Sequence, residues 1–118
     1  MAFLVPICAR GDHPMAQYDV FANPSSSAAS GIPYVVVIQS DLLDALATRL
    51  TMPVAVLDFV GKVPTALCPV IMVKGKRLYA LAHYAAPLPV KMLRRPVDNV
   101  SAQASALVAA MDAVLSGI

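Results

Sequence analysis

The sequence has no tryptophan and no glutamate, only two cysteines, and little charge or aromatic content, at 14% and 6%. Each scarcity excludes something. Without glutamate, acid–base chemistry would rest on seven scattered aspartates. Cys8 and Cys68 are too few for a disulfide scaffold and lack metal-ligand spacing. They are expected to be inert thiols of a reducing cytoplasm. Nine Lys and Arg against seven acids leave a net charge of +2, with no broad basic face for nucleic acid. No apolar run reaches the ~20 residues of a membrane helix. The longest charge-free stretch, Val20 to Ser40, is interrupted by Asn23, Pro24, a run of three serines, Gly31 and Pro33. The apolar opening, Met1 to Ala9, has no basic residue before it, so it lacks the head of a secretory signal. The expected location is cytoplasmic.

What is present is apolar. Hydrophobic residues make up 58% of 118 positions, and 20 of them are alanine. That excludes a disordered chain and suffices for one core in one domain. Residues 1–14 hold Pro6, Gly11 and Pro14 without a sustained period. They are expected to be an extension outside the fold, with the domain at 15–118.

Gln17 to Phe21 alternates polar and apolar, the period of a strand. Asn23 to Gly31 is a loop of Ser, Pro and Gly. Tyr34 to Ile38 is continuous and β-branched, a strand buried on both faces. After it, Ser40 or Asp41 caps a short helical turn, or the strand ends in a loop. Thr51 to Leu57 is a strand whose Pro53 places it at an edge or a bulge. Asp58 to Ala66 is rich in turn residues. Pro69 to Val73, a turn at Lys74-Gly75-Lys76, and Arg77 to Ala82 form a β-hairpin. Pro87 to Leu93 is a further extended piece. From Ser101 to Leu115 there is no Pro or Gly. Val100, Ala104, Leu107, Val108, Met111 and Leu115 recur there at helical offsets. Ser101 is the expected N-cap and Gly117 the stop. Short strands followed by one helix predict a small, mostly antiparallel sheet or barrel with a C-terminal α-helix packed on it.

Catalytic patterns are missing. The sequence has no HExxH, CxxC, phosphate-binding glycine loop or G-x-S-x-G. His83 lies at an expected strand end. Asp41 and Asp44 stand three apart, a spacing more usual for a cap or solvated edge than for an acid–base pair. Lys91, Arg94 and Arg95 form the one basic cluster, too small to supply the phosphate contacts of a nucleic-acid site. Residue chemistry alone leads to a β-rich binding module.

The order of residues resembles a family. Gln39-Ser40-Asp41-Leu42-Leu43-Asp44, Arg49 through Met52-Pro53, Leu67-Cys68-Pro69-Val70, Pro89-Val90 and a helix ending in Gly117-Ile118 are similar to the CcdB toxins of toxin–antitoxin modules. The resemblance runs from Met15 to Ile118. It implies a small SH3-like antiparallel barrel with a C-terminal helix, assembled as a two-fold homodimer. It implies binding to the A subunit of DNA gyrase, trapping that enzyme on cleaved DNA, with no catalytic residue, metal or cofactor in the toxin. It also implies a CcdA-like antitoxin whose disordered tail folds on the toxin.

The resemblance places the gyrase-binding residues at Leu115, Ser116, Gly117, Ile118 and Asp112, with Gln17, Tyr18, Phe21, Ser40, Leu42 and Leu43. Asn23, Pro24, Ser25 and Ser26 are the candidate antitoxin rim. Ser116 departs from the family's frequent Trp-Gly-Ile ending, and Asp112 stands where a member carries Asn. Loss of an indole costs about 2 kcal/mol where it is an interface hot spot, unless Leu115 compensates. Two alternatives remain open at this point. One is a MazF-like endoribonuclease on the same barrel, with Arg49 as its phosphate ligand but no evident base. The other is a decayed homologue that binds antitoxin without killing.

Overall fold

The structure, a computed structural model, describes residues 15–26, 28, 31–56 and 67–117. The expected 1–14 extension, Cys8, His13, the 58–66 turns, Leu57 and Ile118 fall outside these residues.

Seven strands and one α-helix make up the described fold: β1 (Asp19–Ala22), β2 (Tyr34–Val37), β3 (Thr48–Ala55), β4 (Val70–Val73), β5 (Lys76–Ala80), β6 (Ala86–Pro89), β7 (Asp98–Asn99) and α1 (Ala104–Ser116). The sheet runs β4-β5-β3-β2-β1-β7, with β6 also on β3. Every pairing is antiparallel. The sheet coils into a nearly closed barrel, because a twisted sheet of this length curls toward its own edge. Closure between the end strands falls to side chains. The Gln103 amide donates to the Met72 carbonyl (3.1 Å) and accepts from the Met72 N–H (2.8 Å), as a paired strand would. Asp98 accepts from the Lys74 N–H at 2.7 Å.

The core follows strand alternation. Val20, Val36, Met52, Val54, Ile71 and Val73 point inward against Leu107 and Ala110 of α1. Their neighbours Phe21, Val35 and Val37 point the other way and pack with Leu93. β2 is therefore covered on both faces, as its β-branched run predicts. The hairpin is also as expected, with Lys74 (φ 52°) and Gly75 (φ 82°) as the two central residues between β4 and β5. Two successive positive φ values suit the right-handed twist of the flanking strands.

Four expectations are corrected. Pro53 sits inside the central strand, opposite Val35, and not at an edge or a bulge. Its carbonyl accepts from Leu81 N–H, so its missing donor also faces that side. There β3 changes partners, from β6 along Thr48–Thr51 to β5 at Val54 and Ala55. The proline occupies the one seam where no ladder bond is lost. Pro87 to Leu93 is extended only to Pro89, then turns through a 3-10 segment, Val90–Met92. Ser101 does not cap α1. A 3-10 turn, Ser101–Gln103, precedes the helix, and Asn99 Oδ1 accepts from the Ser101 N–H. The buried face of α1 is Leu107, Ala110 and part of Met111, whereas Val108 and Leu115 face outward.

Gly117 ends α1 in the left-handed region at φ 76°. Cys68 is buried, and burial pushes its thiol above the ordinary value, which keeps it protonated and unreactive. Among the described residues, no helix is long and apolar enough to cross a membrane.

Candidate functional site

Three sequence-predicted residues meet in one place. Gln17, Tyr18 and Asp112 line a cleft of about 240 Å³ between the turn that leads into β1 and one side of α1. Its floor is apolar: Ile38, Leu50, Leu107, Val108 and Met111. Tyr18 is held at φ 71°. An L-residue with a side chain pays about 1–2 kcal/mol for that conformation, so the surroundings must hold it there. Its N–H donates to Val37 O (2.6 Å), and its carbonyl accepts from Val100 N–H (2.9 Å). Next to it, Asp19 accepts from Ala16 N–H and from the Asn99 amide, both at 2.8 Å. These bonds make Gln17–Tyr18 a turn, where period alone predicts strand.

Gln17 joins this cleft to a second element. Its N–H donates to Asp41 Oδ1 (2.8 Å) and its amide to Ile38 O (3.1 Å). Asp41–Leu43 is a 3-10 turn capped by Ser40, whose Oγ accepts from Leu42 N–H at 3.1 Å. The cap fixes the turn so that Leu42 stands 91% exposed, with Leu43 and Leu46 also outside. Leaving Leu42 exposed forgoes about 1.5–3 kcal/mol of burial, and the half-exposed Leu43 and Leu46 forgo about half as much each.

Two residues hold this turn. Arg49, a residue only 9% exposed, donates from its guanidinium to the carbonyls of Leu46 (2.6 Å), Thr48 (3.1 Å) and Asp44 (2.8 Å). The Gln39 amide donates to Leu43 O and Thr48 O, and accepts from Leu50 N–H. Sequence reasoning gave neither this role. Arg49 is spent on backbone carbonyls and is not placed to hold a phosphate.

At the end of α1, Leu115 is 78% exposed, and Asp112, Ser116 and Gly117 are exposed with it. The Ser116 hydroxyl turns back onto Asp112 O at 2.6 Å, so Leu115 is the projecting side chain of this last turn. Phe21 is not on this face. It is 1% exposed and forms the floor of a second cleft with Ala22, Asn23, Pro24, Met92, Arg94 and Arg95. Ser25 and Ser26 are exposed beside it.

The chemistry of the first face is that of contact. It offers exposed apolar side chains, the Asp112 carboxylate and the Gln17 amide, which is held on Ile38 O. Among the described residues, no three His, Cys, Asp or Glu side chains cluster as metal ligands. His83 lies apart, exposed and with its ring tilted 38° against that of Tyr84 at 4.4 Å between centroids.

Comparison with known proteins adds the family. None of the curated proteins matches the chain. The family model described as CcdB protein matches residues 17–117, the strands, the Leu42 turn, the cleft and α1 together, and the chain therefore belongs to the CcdB family, toxins of toxin–antitoxin modules.

Proposed function

We propose that this protein is the toxin of a type II toxin–antitoxin module that poisons DNA gyrase in the cytoplasm. It acts by docking on the A subunit through the end of α1 and the Leu42 turn. A trapped gyrase–DNA cleavage complex does the damage, and this chain makes and breaks no bond itself. The chain acts as a homodimer, and a CcdA-like antitoxin neutralises it. One observation carries the reading beyond family membership. Gln17, Tyr18 and Asp112 share one cleft, Gln17 is bonded to Asp41 of the turn that exposes Leu42, and Leu115 is exposed on the helix that carries Asp112. An exposed apolar anchor beside a fixed polar rim has the make-up of an interface hot spot.

The ribonuclease alternative loses support, since Arg49 is committed to the carbonyls of Asp44, Leu46 and Thr48. The test is induction in cells carrying either ordinary gyrase or a gyrase A altered in its dimerisation region. Growth arrest in the first and growth in the second is the expected result. Normal growth of both at high expression identifies a decayed homologue. Arrest of both, with RNA cleaved by the purified protein, identifies the ribonuclease.

A further inference from the structure

The basic cluster at Lys91, Arg94 and Arg95 takes no part in the face just described. Arg94 and Arg95 line the second cleft, of about 280 Å³, together with Phe21, Ala22, Asn23, Pro24 and Met92. We infer that this cleft is a docking site for an acidic peptide segment carrying one large apolar anchor residue. Under the proposed function that segment is the antitoxin's tail. Naming it so rests on that reading, whereas the site does not.

Charge and shape agree on this occupant. Lys91, Arg94 and Arg95 are all exposed, and none has an ion-pair partner among the described residues. Three cations within five positions, uncompensated among the described residues, repel one another, and an acidic ligand relieves that repulsion. The arginines are also held in place. Leu93, just before them, is buried with Phe21, Val35 and Val37. Just after them, Val97 N–H donates to Val20 O at 2.7 Å. Pro96 further restricts the backbone of Arg95. Two guanidinium groups on a loop pinned at both ends lose little backbone freedom on binding, and each can take a carboxylate in two parallel bonds.

The lining between them is apolar. Phe21 closes the floor, and Met92, about half exposed, forms an adaptable wall. That leaves room for one large apolar side chain flanked by carboxylates. Nucleic acid fits less well. Three charges give few phosphate contacts, and the ring of Phe21 is 1% exposed, so no aromatic platform is open for a base.

Fluorescence anisotropy on the full chain tests this. The probes are a labelled peptide with a central Phe flanked by Glu, its Gln-flanked and Lys-flanked counterparts, and a single-stranded oligonucleotide. The Glu peptide is expected to bind at least about tenfold tighter than the Gln peptide, and to weaken as salt rises from about 50 to about 300 mM. Arg94→Glu with Arg95→Glu should cost at least about tenfold for the Glu peptide and gain binding of the Lys peptide. Met92→Ser should weaken the Glu and Gln peptides alike, and an unchanged melting temperature shows that each variant folds. Equal binding of Glu and Gln peptides, no effect of the double reversal, or stronger binding of the oligonucleotide would overturn the inference. Binding of the Glu peptide without binding of a gyrase A fragment upholds this cleft and refutes the proposed function. The reverse pattern refutes the cleft alone.

Discussion

Two residues carry measurable stability on their own. Gly75 holds φ 82° in the hairpin, and nothing lies within 4 Å of where its Cβ would be. Gly75→Ala therefore meets no clash, only backbone strain of about 1 kcal/mol. The expected result is a melting temperature lower by about 3–6 °C. Asp98 supplies a pH signature. Hydrogen bonds from the backbone N–H groups of Lys74 and Asn99 hold its carboxyl below the ordinary aspartate value. A carboxyl depressed by folding stabilises the fold above its unfolded value, about 4. That contribution fades as pH falls through the lower folded value. Asn in its place turns an amide donor toward a backbone donor. Thermal melts of Asp98→Asn should lie below the parent at neutral pH and converge with it in acid. A gap that stays constant down to pH ~2 would contradict this assignment.

At the scale of elements, the closure of the barrel rests on Gln103. Gln103→Leu deletes both bonds to Met72, a loss of about 1 kcal/mol. It also uncovers the outer edge of β4, so light scattering should rise with concentration while urea unfolding shifts to lower midpoint. This role was illegible in the sequence, because one amide imitating a strand leaves no periodic trace. The elements that depend on local pattern were legible. The Tyr34–Val37 strand, the Lys74-Gly75 hairpin and the helix ending at Gly117 follow from β-branching, turn chemistry and helical period. Those that depend on distant partners were not. Pro53 is tolerated in a central strand only because β3 changes neighbours beside it. Tyr18 leaves the strand period because Val37 and Val100 take its backbone groups. Val108 and Leu115 have the offsets of a buried stripe, yet α1 turns Leu107 and Ala110 to the core instead. The candidate site shows the same division. Gln17, Tyr18 and Asp112, suggested by family resemblance, come together in one cleft. Phe21, suggested on the same ground, is core. Gln39 and Arg49 act on backbone carbonyls, a role residue type alone does not announce.

For the whole molecule, the projecting side chains are separable from stability, because they bear none of the core. Leu42 is 91% exposed, so Leu42→Asp should change unfolding free energy by no more than about 0.5 kcal/mol. The same substitution should weaken binding to the gyrase A dimerisation fragment by at least about tenfold, because a buried unpaired carboxylate replaces an apolar anchor. Leu115→Asp should behave alike, which would place both leucines under one partner. The second cleft, lined in part by Arg94 and Arg95, is built from different residues.

The most direct test is a calorimetric titration of the chain into the gyrase A dimerisation fragment, with Leu115→Asp as its control. Saturating heat for the parent and a flat trace for the folded variant are the predicted results. A flat trace for the parent, or equal heats for both, would contradict docking through the end of α1.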